Sequence, residues 1–317
     1  MSFQISNKTA NGLQIIQLID NTANTVIEIL PAYGAMLHAF RVQFKDKQLN
    51  LIDGYQHAED LKNNLGTSYK SARLSPFACR IKDAKYTYRG KEYVFASKFN
   101  DGNAIHGLLF DRPFTLKTSV ADDRQAKLSL NYHYRNENPG YPFEYECEVV
   151  YTLKKDNELT VHSRVKNLSG DTIPLVDGWH PYFTTGSKVD DLRLRFFAKE
   201  MVEFDERLIP TGKLLPYSKF NEGKILNEEE LDNSYVLDFE HNQPLCTLKD
   251  ERQGITIEFY PDRSYPILQI YTPPHRNSIA VENISGAPDA FNNGLFLQEL
   301  KPGATADFET AYKIKLA

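Results

Sequence analysis

The feature that most restricts this chain is the spacing of its apolar residues, which follows a strand period along nearly its whole length. Leu13–Ile19, Thr25–Leu30 and Ala39–Phe44 are short runs of alternating, β-branched and aromatic residues separated by Asn, Asp, Gly and Pro. They predict an opening meander. Tyr86–Phe95 predicts a hairpin around a tight Arg89-Gly90 turn. Phe114–Tyr134, turning near Ala121-Asp-Asp-Arg124, and Tyr145–Val165, turning at Lys155-Asp-Asn157, predict two more. Strands that follow one another through short turns pair antiparallel. Leu192–Phe197, Cys246–Leu248 with Ile255–Phe259, Ile267–Thr272, Ile279–Glu282 and Asp307–Leu316 carry the pattern to the end. Helix signals are confined to Ala58–Asn64 and Asn227–Leu231, about one turn each.

No composition break, Pro/Ser-rich linker or internal repeat divides the 317 residues. The expectation is therefore one domain over residues 1–317, an all-β, large antiparallel sandwich. The 37 basic and 42 acidic residues are interspersed, for a formal charge of -5. That balance argues against nucleic acid as a partner. No run of about 18 apolar residues occurs, and Met1-Ser-Phe-Gln-Ile-Ser-Asn-Lys has no leader pattern, so a soluble cytoplasmic protein without membrane partners is expected. Cys79, Cys147 and Cys246 are odd in number and far apart, which suits reduced thiols. No Cys-x-x-Cys or His-x-x-x-His pair supports a metal site.

Against this background, Val176–Gly186 stands out: it holds the single tryptophan, Trp179, with His180, Tyr182 and Phe183 beside Pro181. Aromatic faces stack on the apolar face of a sugar ring, and an imidazole exchanges protons near neutrality. The plainer reading is a strand end packing its rings into a core. Four other stretches carry isolated polar groups in apolar or turn-like settings. Arg73 and Arg80 flank Pro76-Phe77-Ala78 as forked donors, or as surface arginines. His106 precedes Gly107, which lets the backbone approach a ligand. Asp232 stands ahead of an apolar strand, as a ligand or a cap. Glu282 closes a β-branched run, where a carboxylate is costly unless paired or used, and Asp289 and Asn292 follow in a turn-rich segment. Glu228-Glu-Glu230 reads as a solvated turn.

Taken in order, these stretches resemble the aldose 1-epimerase (galactose mutarotase) family, from Gly34-Ala35 to the Lys301-Pro-Gly303 turn and last strand. Ser75–Ile81 is similar to the family's arginine motif, with its second arginine at Arg80 and Pro76 in the place of the first; Cys79 stands where the family has Asn. Ile105-His-Gly-Leu108 resembles Leu-His-Gly-Gly. His180-Pro-Tyr-Phe183 resembles His-x-Tyr-Phe, and Asp232-Asn-Ser-Tyr-Val-Leu237 resembles Asp-His-x-Phe-Val-Leu, with Asn233 in place of His. Glu282 with Pro288-Asp-Ala-Phe-Asn292 resembles Glu followed by Pro-Asp-Ala-x-Asn. Gly140-Tyr-Pro142 and Asp205–Gly212 match further landmarks.

The resemblance implies a β-supersandwich and a cofactor-free interconversion of sugar anomers. It implies Glu282 as the base, His180 as the acid, Arg80 and His106 as holders of the sugar and its ring oxygen, and Asp232 as a hydroxyl ligand. Arg73, Tyr182 and Asp289 are additional candidates. Leu108 in place of glycine is expected to narrow the pocket. Three rivals stand beside this reading. A hexose-6-phosphate epimerase would use Arg73, Arg80 and Arg276 around a phosphate. A carbohydrate-binding module would need only the stacking rings, and a glycoside hydrolase would pair Glu282 with Asp232.

Overall fold

Alternation in the sequence becomes three principal sheets in the computed structural model, which describes residues 1–317. Phe3–Ala10, Leu13–Asp20, Thr25–Leu30, Met36–Phe44 and Lys47–Asn50 form a five-stranded meander in chain order. Its first strand escapes a reading of the sequence, because Ser-Asn-Lys-Thr breaks the apolar alternation; an eight-residue pairing with Leu13–Asp20 makes it a strand. The expected hairpins form. Arg89 and Gly90 both have positive φ, 51° and 78°, as a two-residue turn between Lys85–Tyr88 and Lys91–Val94 requires.

The other two hairpins, Thr115–Ala121 with Gln125–Arg135 and Glu144–Lys154 with Glu158–Asn167, open a nine-stranded sheet. Thr305–Leu316 follows, then Ile255–Pro261, Cys246–Asp250, Arg193–Phe196 and Lys224–Ile225. An eight-stranded sheet lies against it. Its order is Pro210–Pro216, Ala198–Phe204, Asp232–Leu237, Ile267–Tyr271, Ile279–Ile284, Gly178–His180 and Ala72–Leu74, with Tyr182–Phe183 also on Ile279–Ile284. Aromatic contacts mark the sandwiched faces: Trp179 lies 5.9 Å from Tyr151, and Phe183 lies 4.9 Å from Phe259 and 5.3 Å from Tyr312, ring centre to ring centre. A cluster of 76 buried residues between Phe3 and Ile314 fills the interior. Each such Leu, Ile or Phe contributes about 1.5–3 kcal/mol over its exposed state. The fold is an all-β antiparallel sandwich.

The helix expected at Ala58–Asn64 runs to Ser68, past Asn63, Asn64 and Gly66. Its Leu61 and Leu65 pack with Leu13, Ile15, Leu30, Met36 and Tyr55, so tertiary burial extends it beyond its local propensity. Tyr69 ends it in a left-handed conformation, its N–H donating to the Leu65 carbonyl. Asn227–Leu231, expected as a helical turn, is irregular instead. There the Asn227 N–H donates outward to the Asp190 carbonyl, and Lys219 and Lys224 hold Glu229. No helix is long and apolar enough to cross a membrane.

Candidate active site

Strand register builds the site. Residues directly opposite one another in an antiparallel pair share a face of the sheet. Ser234 is opposite Gln269, and Gln269 is opposite Glu282, so three strands contribute one polar side chain each to a single row. Gly178 opposes Ile284 on the next strand and Tyr182 opposes Ala280; the same register sets His180 beside Glu282. His180 Nε2 and Glu282 Oε1 are 3.5 Å apart. Behind them, the Ser234 hydroxyl donates to Gln269 Oε1 and Gln269 Nε2 donates to Asp232 Oδ1 at 2.9 Å. Tyr182 stacks on His180 with ring centres 5.0 Å apart.

A second layer faces this row. Arg80–Ile81 pairs with Ala104–Ile105, and the His106 N–H donates to the Cys79 carbonyl at 2.9 Å. This brings the His106 ring within 4.9 Å of His180 and 4.6 Å of Tyr69. Arg80, His106, His180, Tyr182, Asp232 and Glu282 all line one cavity of about 170 Å³, with Tyr69, Cys79, Phe99, Gln269 and Tyr271 among its other walls.

Burial governs the charges here. It pushes His180 down to about 4, and it drives His106 well below the ordinary imidazole range, with the His180 and Arg80 charges adding to the effect. It raises Glu282 well above the usual carboxylate range, and the neighbouring Asp232 charge raises it further. Asp232 rises for the same reason, against the opposing pull of Arg80 and the Gln269 hydrogen bond. Around neutrality the histidines are therefore neutral, and Glu282 is drawn toward its protonated form. Glu282 Oε2, His180 Nδ1 and His106 Nδ1 are buried without a hydrogen-bond partner. Such groups cost stability, so a ligand able to satisfy them is favoured.

Residues 15–313 match the family model for aldose 1-epimerase. The chain belongs to the aldose 1-epimerase family. It is 27% identical over 237 residues to the Escherichia coli K12 protein YihR, itself uncharacterized, covering 73% of this chain and 74% of YihR. A galactose mutarotase-like protein from Clostridium acetobutylicum superposes with a TM-score of 0.87 at 18% identity, covering 100% of this chain and 99% of that one. The GalM/aldose epimerase homologue of C. elegans gives 0.81 at 21% identity, covering 99% of both chains. Membership makes this protein an isomerase of the epimerase and mutarotase type, acting on sugars.

Several residues singled out in the sequence of this aldose 1-epimerase lie elsewhere than the sequence suggests. Arg73 is neither a surface residue nor a cavity wall: it is fully buried on the opposite face, paired with Asp177 and stacked over Trp179 at 4.8 Å. Arg276 pairs with Asp190 and caps the carbonyls of Asn227 and Glu229. The three-arginine phosphate clamp is thus reduced to Arg80. Asp289 accepts from the Lys82 N–H and from Asn292 Nδ2, bracing the Arg80 segment outside the cavity. Gly107 serves a close approach to the Ser75 backbone rather than to a ligand; a Cβ there would meet the Ser75 carbonyl oxygen at 2.4 Å. Leu108 lines the neighbouring cavity, so it does not narrow this one. Asn233 falls on the face opposite to Asp232 and Ser234. Gln269, Tyr271, Tyr69 and Phe99 have no motif signal: register brings Gln269 and Tyr271 to the cavity, the helix cap brings Tyr69, and the 99–103 loop brings Phe99.

Proposed function

We propose that this protein interconverts the α and β anomers of an uncharged aldohexose by opening and reclosing its hemiacetal ring. The observation that carries the reading is the adjacency of two buried, proton-exchanging groups: His180 Nε2 and Glu282 Oε1, 3.5 Å apart on one cavity wall. The anomeric hydroxyl and the ring oxygen are bonded to the same carbon, so their base and acid have to be neighbours. In the forward step the Glu282 carboxylate takes the proton of the anomeric hydroxyl, and the bond from C1 to the ring oxygen breaks. The ring oxygen takes a proton from His180, leaving the open aldehyde. Rotation about C1–C2 and reversal of both transfers gives the other anomer.

Burial favours the neutral pair, so this step needs the sugar to draw the shared proton from Glu282 toward His180. A hydroxyl donating to the carboxylate favours that transfer. Each positioned proton transfer contributes about a hundred- to ten-thousandfold. Arg80 and His106 hold the ring-oxygen side, and Asp232, oriented by Gln269, takes hydroxyls. Arg80 already carries an acidic partner, which supports an uncharged sugar over a phosphorylated one. Polarimetry on freshly dissolved α-D-glucose and α-D-galactose tests the reading, with enzyme accelerating the drift to equilibrium at micromolar concentration. A rate no faster than buffer on both, with acceleration on a hexose 6-phosphate, would replace it with the phosphosugar reaction; tight sugar binding without acceleration would leave a binding protein.

A further inference from the structure

Arg80 is the only lysine or arginine lining the catalytic cavity, and it does not face that cavity unpaired. Its Nε donates to Asp101 Oδ2 at 2.8 Å. Asp101 lies outside the cavity lining, on the loop that supplies Phe99 to it. The pair joins two fixed segments rather than two free side chains. Asp101 Oδ1 accepts from the Asn103 N–H at 3.0 Å, and the loop closes on itself through Gly102 N–H to the Phe99 carbonyl and Phe99 N–H to the Asn103 carbonyl. On the other side, Arg80 pairs in register with Ile105, and its carbonyl accepts from the Asp289 N–H at 2.8 Å.

We propose that Asp101 is a specificity-determining residue: by neutralising Arg80, it tunes the cavity to uncharged aldoses and against aldoses that carry a carboxylate. This rests on the mutarotase reading above. A free guanidinium is a fork that binds carboxylate in two parallel hydrogen bonds. With Asp101 on its Nε, the fork keeps N–H donors for hydroxyls but has no net charge to offer. An anionic sugar would then meet Asp101 and Asp232 against a single cation, Arg80. Burial pushes the Asp101 carboxyl up, but its hydrogen bonds from Arg80 and Asn103 hold it below the usual carboxylate range, so the neutralisation persists through neutral pH. Discrimination built from an unfavourable contact with the wrong ligand is the ordinary route to selectivity between near-isosteres.

D-Galactose and D-galacturonate differ only at C6 and form the test pair, with D-glucose and D-glucuronate as the alternative if glucose is the faster sugar. Anomer exchange at equilibrium is read by exchange NMR at pH 7 as a function of sugar concentration, giving kcat/KM for each. Asp101→Asn and Asp101→Ser are each expected to lower the neutral-to-anionic ratio of kcat/KM by about five- to tenfold. A loop that merely loosens would weaken both sugars in parallel and leave the ratio in place. Adding Arg80→Met to Asp101→Asn is expected to return the ratio to the wild-type value, because the freed cation is then gone. A ratio unchanged in both Asp101 variants, galacturonate undetectable in all of them included, overturns the proposal. So does a lowered ratio that persists in the double variant. A wild-type protein inactive on both neutral hexoses defeats the mutarotase reading itself, whereas wild-type activity with an unmoved ratio defeats only the role of Asp101.

Discussion

Glu28 and Glu282 are almost equally inaccessible, at 2% and 1% exposure, yet their surroundings pull them in opposite directions. Glu28 belongs to the N-terminal five-stranded sheet. Lys8, Gln17 and Arg41, one from each of the other three strands around it, all reach its carboxylate; the two cations come to 2.5 Å and Gln17 Nε2 to 2.9 Å. Burial pushes Glu28 up, but these partners outweigh it and hold the carboxyl at about 2. Glu282 sits in a comparable cross-strand row, with Gln269 and Ser234 beside it, but Gln269 turns to Asp232 and no cation approaches. Its Oε2 has no partner, and burial with the neighbouring Asp232 charge raises its carboxyl well above the usual carboxylate range. A buried carboxylate is therefore not a functional signal in itself. One buried without its partners, on the wall of a cavity, is.

The largest expected effect breaks the comparison on the side of activity. Glu282→Gln and His180→Asn are each expected to slow anomer exchange by about a hundred- to ten-thousandfold. Neither loses a satisfied ion pair, so both are expected to unfold in denaturant at or above the wild-type midpoint. Exchange NMR and a urea titration on the same samples check this. Variants with full activity would remove both residues from the mechanism, and variants that unfold early would make Glu282 a structural residue like Glu28.

Arg73 supplies the middle case, since it lies on the strand next to Gly178–His180 but on the face away from the cavity. Asp177 Oδ1 accepts from Arg73 Nη1 at 3.0 Å and from the Tyr265 hydroxyl at 2.7 Å, while Nη2 holds Oδ2. Arg73→Met leaves Asp177 buried without its cation, at a cost of about 3–5 kcal/mol in urea unfolding, and Arg73→Met with Asp177→Leu recovers most of it. The folded enzyme is expected to keep its kcat/KM. Lost activity without lost stability would reassign the pair to the site.

How legible these differences are in the sequence depends on distance along the chain. Hairpins such as Lys85–Val94 are local, and their turn residues announce them. The placement of Thr305–Leu316 between Glu158–Asn167 and Ile255–Pro261 is not, because strand neighbours remote in sequence leave no periodic trace. Glu282 and His180 are visible as a carboxylate in a β-branched run and an imidazole in an aromatic cluster. Gln269 and Tyr271 look like any alternating strand residues until register brings them beside Asp232 and Glu282. Arg73 resembles a free donor until Asp177, 104 residues later, crosses to meet it. Likewise Gln17, Lys8 and Arg41 look like solvent-facing residues, and nothing local reveals that they converge on Glu28.

The smallest expected effect tests that convergence. Glu28→Gln is expected to lower stability at pH 7 by about 1–3 kcal/mol, the lower part of the range reflecting the partial exposure and screening of Lys8 and Arg41. The pH dependence has a definite sign. The folded carboxyl titrates at about 2 against an ordinary value of 4.5, so its contribution is complete above 4.5 and disappears as pH falls through about 2. Urea unfolding of wild type and Glu28→Gln should therefore differ fully at pH 6–7, converge from about pH 4.5 downward and coincide near pH 2. Anomer exchange at neutral pH should be the same in both. A stability gap that stays constant down to pH 2 would mean the substitution acts through packing. An exchange rate that falls with Glu28→Gln would mean that the two glutamates are coupled across the sandwich, and that partnered and unpartnered burial do not separate structure from function in this fold.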